Sequence, residues 1–235
     1  MKRAALLALA LVLLTGCGHE RSGSGKASLW VTRDRGQTVL LTRTVPAGMT
    51  AMEALDREAD IDTRYGGRFV QSIAGLEGDR SRRRDWFWFL NGIEADRSAA
   101  DYRLRSGDVE WWDLRSWRSR MREPVVVGAF PEPFLHGYDG KVRPTVVRYP
   151  PGLEEGARAI GRLLGARSVE PFKRFAAPPP VDVNIFALAN GPEIFLASLR
   201  NSEDGAGSPV QFTFAGDAEA LARNPTKYRF RYHVP

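Results

Sequence analysis

Cysteine and histidine are scarce in this 235-residue chain, which has one cysteine, Cys17, and three histidines. A single cysteine cannot form a disulfide within the chain, and so few sulfur and imidazole ligands argue against a transition-metal site. The phosphate-binding loop, the dinucleotide fingerprint, the zinc motif His-Glu-x-x-His and the nucleophile elbow Gly-x-Ser-x-Gly are also missing. These absences favour binding over catalysis, and we assign no catalytic or metal-binding residue. An enzyme with paired carboxylates stays open, because such pairs have no signature in one sequence.

Charge of one sign is not concentrated anywhere. The chain carries 34 basic and 28 acidic residues, a formal net charge of +6, and residues 28–118 carry 15 of each sign. A nucleic-acid-binding domain normally shows a dense basic face. The sequence therefore predicts no nucleic-acid partner.

Long apolar runs are limited to the amino terminus. A basic start, Met1–Arg3, precedes an apolar stretch from Ala4 to Leu14, which is too short to span a bilayer but has the length found in a signal peptide. The stretch ends in Leu14-Thr15-Gly16-Cys17, which resembles the lipobox of bacterial lipoproteins. The resemblance implies cleavage after residue 16 and lipidation of Cys17; the alternative is an ordinary secretory signal with an incidental cysteine. We expect an extracytoplasmic protein of the cell envelope, anchored to the membrane through Cys17.

Residues 17–27 are rich in glycine and serine and predict a flexible tether. Residues 28–118 predict a first domain. Leu29–Thr32 and Thr38–Thr42 have the composition of two strands around a turn, and Thr50 with Glu53 forms the pattern of a capping box at a helix start. Two strands, a helix and further strands predict an α+β arrangement that is similar to a β-grasp.

The segment that follows is the most aromatic in the chain. Trp86–Phe89 leads through Leu90 into Asn91-Gly92, and this dipeptide is the strongest short signal for a tight hairpin turn. A later strand carries adjacent Trp111 and Trp112, which must point to opposite faces because strand side chains alternate. Both strands are therefore apolar on both faces. One face can enter a core, but the other needs a cover: a second domain, a partner or a ligand.

All six tryptophans lie in this first domain, which makes it the expected site for a ring-bearing solute. The candidate ligand-binding residues are Trp86, Trp88, Tyr65, Trp111 and Trp112. A weaker candidate is an anion-binding or lipid-headgroup site at Arg82, Arg83 and Arg84, for which the alternative is a solvated loop.

These motifs also carry a family resemblance. Pro46–Thr50, Tyr65–Gly67, Trp86–Gly92 and Gly107–Trp111 occur in the order and spacing of the bacterial domain of unknown function 4430, which is similar to the carboxy-terminal β-domain of transcobalamin and intrinsic factor. The resemblance covers about residues 29–114 and implies a β-grasp fold. In the vitamin carriers that domain closes over one side of a corrinoid, together with a helical domain that this chain lacks. A corrinoid or another vitamin-like molecule is thus the ligand that the resemblance implies, and no other cofactor is indicated.

Residues 124–235 predict a second α+β domain with a mainly antiparallel sheet. Val125–Val127 and Thr145–Tyr149 have the composition of strands, and the turn 189–192 joins Val181–Leu188 and Glu193–Leu199 as an expected hairpin. From Lys227 to Val234, aromatic and basic residues alternate, which is typical of a half-buried strand.

Two functions follow from these features. The first is a non-catalytic lipoprotein that captures a ring-bearing solute on its tryptophan-rich domain, for handover to an uptake system. The second is a structural or interaction lipoprotein that contacts a protein or a cell-envelope glycan and has no small-molecule ligand. The sequence gives no indication of oligomeric state.

Overall fold

The computed structural model describes residues 25–172 and 180–235. The predicted signal peptide, Cys17 and most of the predicted tether lie outside these residues. The first strand begins at Lys26, so residues 26–27 belong to the sheet and not to the tether. No helix in the described ranges is long and apolar enough to cross a membrane.

Strands make up most of the regular structure. The strands are β1 (Lys26–Arg33), β2 (Thr38–Pro46), β3 (Ile61–Arg64), β4 (Phe69–Ile73), β5 (Leu76–Glu77), β6 (Arg84–Leu90), β7 (Ile93–Glu94), β8 (Val109–Ser116), β9 (Thr145–Tyr149), β10 (Ser168–Pro171), β11 (Asn184–Ala189), β12 (Ile194–Leu199) and β13 (Val210–Ala215). The helices are α1 (Ala51–Glu58), α2 (Glu132–Leu135), α3 (Glu154–Leu163) and α4 (Ala218–Arg223), with short 3-10 turns at Ala99–Asp101, Val127–Ala129 and Ser202–Gly207. This mixture confirms the predicted α+β class.

The first sheet has the strand order β2-β1-β8-β6-β7, and a small sheet of β3, β4 and β5 lies beside it. Strands β1 and β8 run parallel at the centre, while β2, β6 and β7 are joined antiparallel. Helix α1 begins with the predicted capping box: the Glu53 N–H donates to Thr50 Oγ1 at 3.1 Å, and the Thr50 N–H donates to Glu53 Oε2 at 2.7 Å. The helix buries Ala51, Met52 and Leu55 in the core.

The second sheet has the strand order β10-β9-β11-β13-β12. Three of its four strand pairs are parallel, and only β12 with β13 is antiparallel. The expectation of a mainly antiparallel sheet was therefore wrong. Helix α3 connects β9 to β10, and a connection of that length returns the chain to the same end of the sheet, which parallel pairing requires. The expected hairpin of β11 with β12 is also absent, because β13 lies between them.

The carboxy-terminal segment is not the predicted strand. Residues 225–230 form turns, Phe230 has a positive φ of 67°, and a single bridge joins Val234 to Phe195. Tyr228 and Tyr232 are nevertheless buried, and the basic residues between them face solvent. The alternation in the sequence thus marks burial correctly, but the chain achieves it by turning. The expected strand Val125–Val127 is likewise reduced to one bridge, between Ile93 and Val125, and a 3-10 turn.

Two buried apolar clusters hold these elements together. The larger extends through both sheets and includes the α1 residues and the phenylalanines of β11–β13. The smaller lies on the opposite face of the first sheet and consists of Trp30, Phe89, Val109, Trp111, Val126, Ala129 and Tyr232, with Phe87 and Phe230 packed against it. The face of β6 and β8 that carries Phe89 and Trp111 is therefore covered by later segments of the same chain.

Candidate ligand-binding pocket

The tight turn at Asn91-Gly92 joins β6 to β7 and holds β6 in place beside β8. Both residues have positive φ, 51° and 81°, as a type I′ turn requires. The Asn91 side chain donates to Asp108 Oδ1 and to the Gly137 carbonyl at 2.9 Å each, and it accepts from the Val109 N–H at 2.7 Å. These buried hydrogen bonds link the turn to the start of β8 and to the segment after α2, so the register of β6 against β8 is fixed.

Alternation along β6 places Trp86 and Trp88 on the face that carries Trp112. The rings of Trp88 and Trp112 stack with centroids 6.0 Å apart and planes at 23°. Trp86 Nε1 donates to the Leu76 carbonyl and Trp88 Nε1 to the Arg97 carbonyl, both at 2.9 Å. With their polar groups satisfied inside the protein, these indoles offer ring surface and no unpaired donor to a ligand.

A cavity of about 860 Å³ lies on this face. Trp86, Trp88 and Trp112 line it, although they are only 5 %, 8 % and 3 % exposed. Tyr65, which is 69 % exposed, lines it too and meets Phe69 edge to face at 6.2 Å. We call this cavity the aromatic pocket. It brings together four of the five residues predicted for ligand binding.

Trp111, the fifth, is a core residue of the opposite face and does not line the aromatic pocket. Its ring is fully buried and meets Phe230 and Tyr232 edge to face at 6.1 Å and 5.7 Å. Its Nε1 donates to Thr32 Oγ1 at 2.8 Å. The prediction that Trp111 contacts a ligand is corrected for this reason: the carboxy-terminal segment occupies the space that a ligand would need.

The three arginines proposed as an anion site do not converge. Arg82 forms an ion pair with Asp79 at 3.3 Å, and Arg84 forms one with Asp34 at 3.1 Å. The Arg83 guanidinium lies over the Trp117 ring, 5.9 Å from its centroid. Each arginine thus serves a separate local contact, which corrects the expectation of a shared site at these positions.

A second, polar pocket of about 580 Å³ adjoins the aromatic pocket. Arg64, Arg80 and Arg82 line it, and the two pockets share Tyr65, Phe69, Arg80 and Asp85. Sequence reasoning missed Phe69, Arg64 and Asp85. Asp85 could have been noticed as the acidic residue that directly precedes the aromatic run of β6.

Asp85 lies where the two pockets meet. Burial raises the pKa of its carboxyl, and this effect outweighs the lowering by the hydrogen bond that the Trp86 N–H donates to Oδ1 at 2.9 Å. The positive charges of Arg80 and Arg64 also lower the pKa of Asp85. The carboxyl is therefore poised to accept a proton more readily than an exposed aspartate.

One wall of the aromatic pocket depends on Arg115, whose side chain is fully buried. Its guanidinium lies 3.6 Å from the centre of the Phe87 ring and forms an ion pair with Glu94 at 3.2 Å. It also donates to the carbonyls of Arg120 and Met121 at 3.2 Å and 2.9 Å. Because Met121 lines the pocket, Arg115 positions that wall from behind.

Another wall, residues 94–99, is braced by the second half of the chain. The Tyr138 hydroxyl donates to Asp96 Oδ1 at 2.5 Å, and Arg97 pairs with Asp139 at 3.1 Å. Burial is the main cause that raises the pKa of Tyr138, so its hydroxyl keeps its proton as the donor. Within residues 25–172 and 180–235, no group of three or more His, Cys, Asp or Glu side chains is placed to hold a metal ion.

Comparisons with known proteins match part of the chain. No curated protein matches the sequence. The solved structures that match include a "putative metal binding protein" from Ruminococcus gnavus ATCC 29149, with 16 % identity, a TM-score of 0.33 and coverage of 39 % of this chain and 97 % of that one. Haptocorrin in complex with Cbi matches with 18 % identity and a TM-score of 0.31, over 39 % of this chain and 26 % of the haptocorrin chain. Residues 48–116, from the turn before α1 to the end of β8, match the family model DUF4430, a domain of unknown function, as the motifs predicted.

Proposed function

We propose that this protein is an extracytoplasmic lipoprotein that holds a small ring-bearing solute in the aromatic pocket of its DUF4430 domain. The observation that carries the proposal is the cavity of about 860 Å³ lined by Trp86, Trp88 and Trp112. Sites for small molecules commonly have volumes of about 300–1,000 Å³ and apolar, aromatic walls with few polar groups. The aromatic pocket has a volume in this range, and most of its lining residues are apolar or aromatic, with charged residues such as Arg80, Asp85 and Arg97 among the rest.

The pocket lining favours a flat ring system. The fixed indoles present preorganised ring surface, so little side-chain freedom is lost on binding. Tyr65, exposed at the junction with the polar pocket, adds a ring that can pack on a bound solute. A corrinoid or another vitamin-like molecule is the ligand class that we propose. The anchor at Cys17 would keep such a solute at the membrane, for transfer to an uptake system.

One observation favours the alternative, an interaction lipoprotein without a small-molecule ligand. Trp86, Trp88 and Trp112 are almost fully buried, so their rings already stabilise the fold without a ligand. Against this alternative, the second aromatic face is closed by Tyr232 and Phe230 and needs no outside partner. The two functions therefore differ in whether the aromatic pocket accepts a ring compound.

The test is a fluorescence titration of the chain from Gly18 onward. Cobinamide, cobalamin, riboflavin and other ring-bearing solutes are added, and quenching of tryptophan emission is recorded, with corrections for absorbance. Trp88→Phe removes an indole that lines the pocket, and Trp111→Phe is the matched control because it makes the same chemical change in the opposite, closed face. We expect saturable quenching by at least one compound, with affinity lowered about tenfold by Trp88→Phe and unchanged by Trp111→Phe.

Two results would count against the proposal. Absence of saturable binding across the panel would leave the interaction protein as the better reading. An equal loss of affinity in Trp88→Phe and Trp111→Phe, with unchanged melting temperatures, would place the ligand away from the aromatic pocket.

A further inference from the structure

The polar pocket contains two arginines whose charge no partner neutralises at close range. Among the described residues, the guanidinium groups of Arg64 and Arg80 form no hydrogen bond and no ion pair within 4.0 Å, although both charges act on Asp85, whereas Arg82 is paired with Asp79. The Asp79 carboxylate also accepts hydrogen bonds within its own turn, from the Ser81 hydroxyl at 2.6 Å and the Ser81 N–H at 2.9 Å. The pocket therefore holds two cationic side chains that are free to bind.

Carboxyl groups in the same pocket limit what can bind there. Glu77 and Asp85 line it together with the arginines. Asp85 is the carboxyl that both pockets share, and burial raises its pKa, so it can carry a proton and donate a hydrogen bond when an anion approaches. A single oxyanion fits this balance of charge better than a polyanion, because Glu77 and ionised Asp85 would repel a larger negative charge.

The position of the pocket connects it with the aromatic pocket. Arg80, Tyr65 and Phe69 line both cavities, so the cavities adjoin, and a molecule whose ring packs on Trp86 and Trp88 lies next to the polar pocket. Arginine is suited to carboxylates and phosphates because its planar fork can form two parallel hydrogen bonds with their oxygens.

We propose that Arg64 and Arg80 hold an oxyanionic group of the same solute whose ring system lies in the aromatic pocket. The inference rests on the proposed function and adds a substrate class to it: ring compounds with one carboxylate or phosphate. The inference also moves the anion site from Arg82–Arg84 to Arg64, the last residue of β3, and Arg80, in the loop after β5.

A pair of fluorescent probes tests this assignment. Anilinonaphthalene sulfonate and N-phenyl-1-naphthylamine share their ring system, and only the former carries an oxyanion. Both are titrated into the chain from Gly18 onward, into Arg64→Gln/Arg80→Gln, and into the control Arg43→Gln/Arg57→Gln, whose two exposed arginines pair with Glu58 and line neither pocket. We expect the sulfonate to bind about tenfold more tightly than the neutral probe, and the double variant to bind the two probes with about equal affinity.

The outcomes separate the inference from the proposed function. If the neutral probe binds and the sulfonate preference is absent, or survives in the double variant, the arginine site is refuted and the aromatic pocket stands. If neither probe binds, both proposals fail. Arg64 and Arg80 are exposed, so the melting temperature of the double variant should match that of the parent chain.

Displacement of the bound sulfonate then identifies the oxyanion. Addition of 1-naphthyl phosphate, 1-naphthoate and uncharged 1-naphthol compares three ligands with one ring system. Stronger displacement by the phosphate or by the carboxylate names the group that the site prefers. Equal displacement by all three would contradict a role for the arginines.

Discussion

Glu110 gives the sharpest prediction about the stability of this fold. It lies in the central strand β8 between Leu29 of β1 and Leu90 of β6, and its side chain is fully buried. Its Oε1 accepts from Trp112 Nε1 at 2.6 Å, while no described residue forms a hydrogen bond with its buried Oε2. Burial raises the pKa of Glu110 well above its ordinary value, and the bond from Trp112 only partly opposes this effect.

The sign of the pH dependence follows from this shift. In the unfolded chain the carboxyl ionises near its ordinary pKa of 4.5, but in the native state it keeps its proton to higher pH. Between these two pKa values the native state binds one more proton, so the free energy of unfolding falls by about 1.4 kcal/mol for each pH unit. Below pH 4.5 both states are protonated and the penalty is absent. Above the native pKa the penalty is constant.

Glu110→Gln removes the ionisation and keeps the shape and the acceptor for Trp112. We expect the variant to be as stable as the parent chain near pH 4 and increasingly more stable as the pH rises, by about 1.4 kcal/mol per pH unit until the native pKa is reached. Urea unfolding followed by tryptophan fluorescence between pH 4 and pH 9 measures the difference. Glu53→Gln is the control, because hydrogen bonds from the backbone and side chain of Thr50 lower the pKa of Glu53, so its effect on stability should be nearly constant above pH 4.5. A difference between Glu110→Gln and the parent that does not change with pH would refute the reasoning.

Two further outcomes are expected. Arg115→Met leaves Glu94 without its buried partner and should lower the free energy of unfolding by about 3–5 kcal/mol. Arg122→Met, at the exposed partner of the same carboxylate, should change it by less than about 1 kcal/mol. Similar urea midpoints for the two variants would contradict this account. Cys17→Ser should abolish labelling of the chain by radioactive palmitate in a bacterial host and release it from the membrane fraction, and continued labelling would show that Cys17 is not the lipidated residue.

Local chemistry made several elements predictable. The capping box at Thr50 and Glu53 and the turn at Asn91-Gly92 each depend on a few neighbouring residues, and both have the expected geometry. Alternation along a strand also correctly separated Trp111 from Trp112. These features could be predicted because their causes lie within a few residues of one another in the sequence.

Strand pairing in the second sheet could not be predicted in the same way. The alternating pattern of β13 shows that one face is buried, but it does not say which strand lies beside it or in which direction. The short turn between β11 and β12 suggested a hairpin, yet β13 pairs with both strands and separates them. Long-range packing of the phenylalanines decided between arrangements that the local sequence allows equally.

The local sequence also could not show which face of β6 and β8 would remain open to a pocket. Trp86 and Phe87 differ little as sequence signals, and either face could have received a ligand. Tyr232, more than a hundred residues later, closes the face of Phe89 and Trp111: its ring lies 5.6 Å from that of Phe89, and its hydroxyl donates to Asp113 at 2.9 Å. The pocket lies on the other face because the end of the chain fills this one.

The second half of the chain thus acts on the pocket from two sides. Tyr232 covers the face of the first sheet that carries Phe89 and Trp111, and the hydroxyl of Tyr138 holds Asp96 in the pocket wall. A sheet with aromatic residues on both faces needs a cover on each face. Each cover removes apolar surface from water, which stabilises the fold. Because one cover belongs to the chain itself, the proposed ligand would need only to fill the remaining cavity. Binding to such a preorganised wall loses less conformational entropy than binding between two separate domains that must close together.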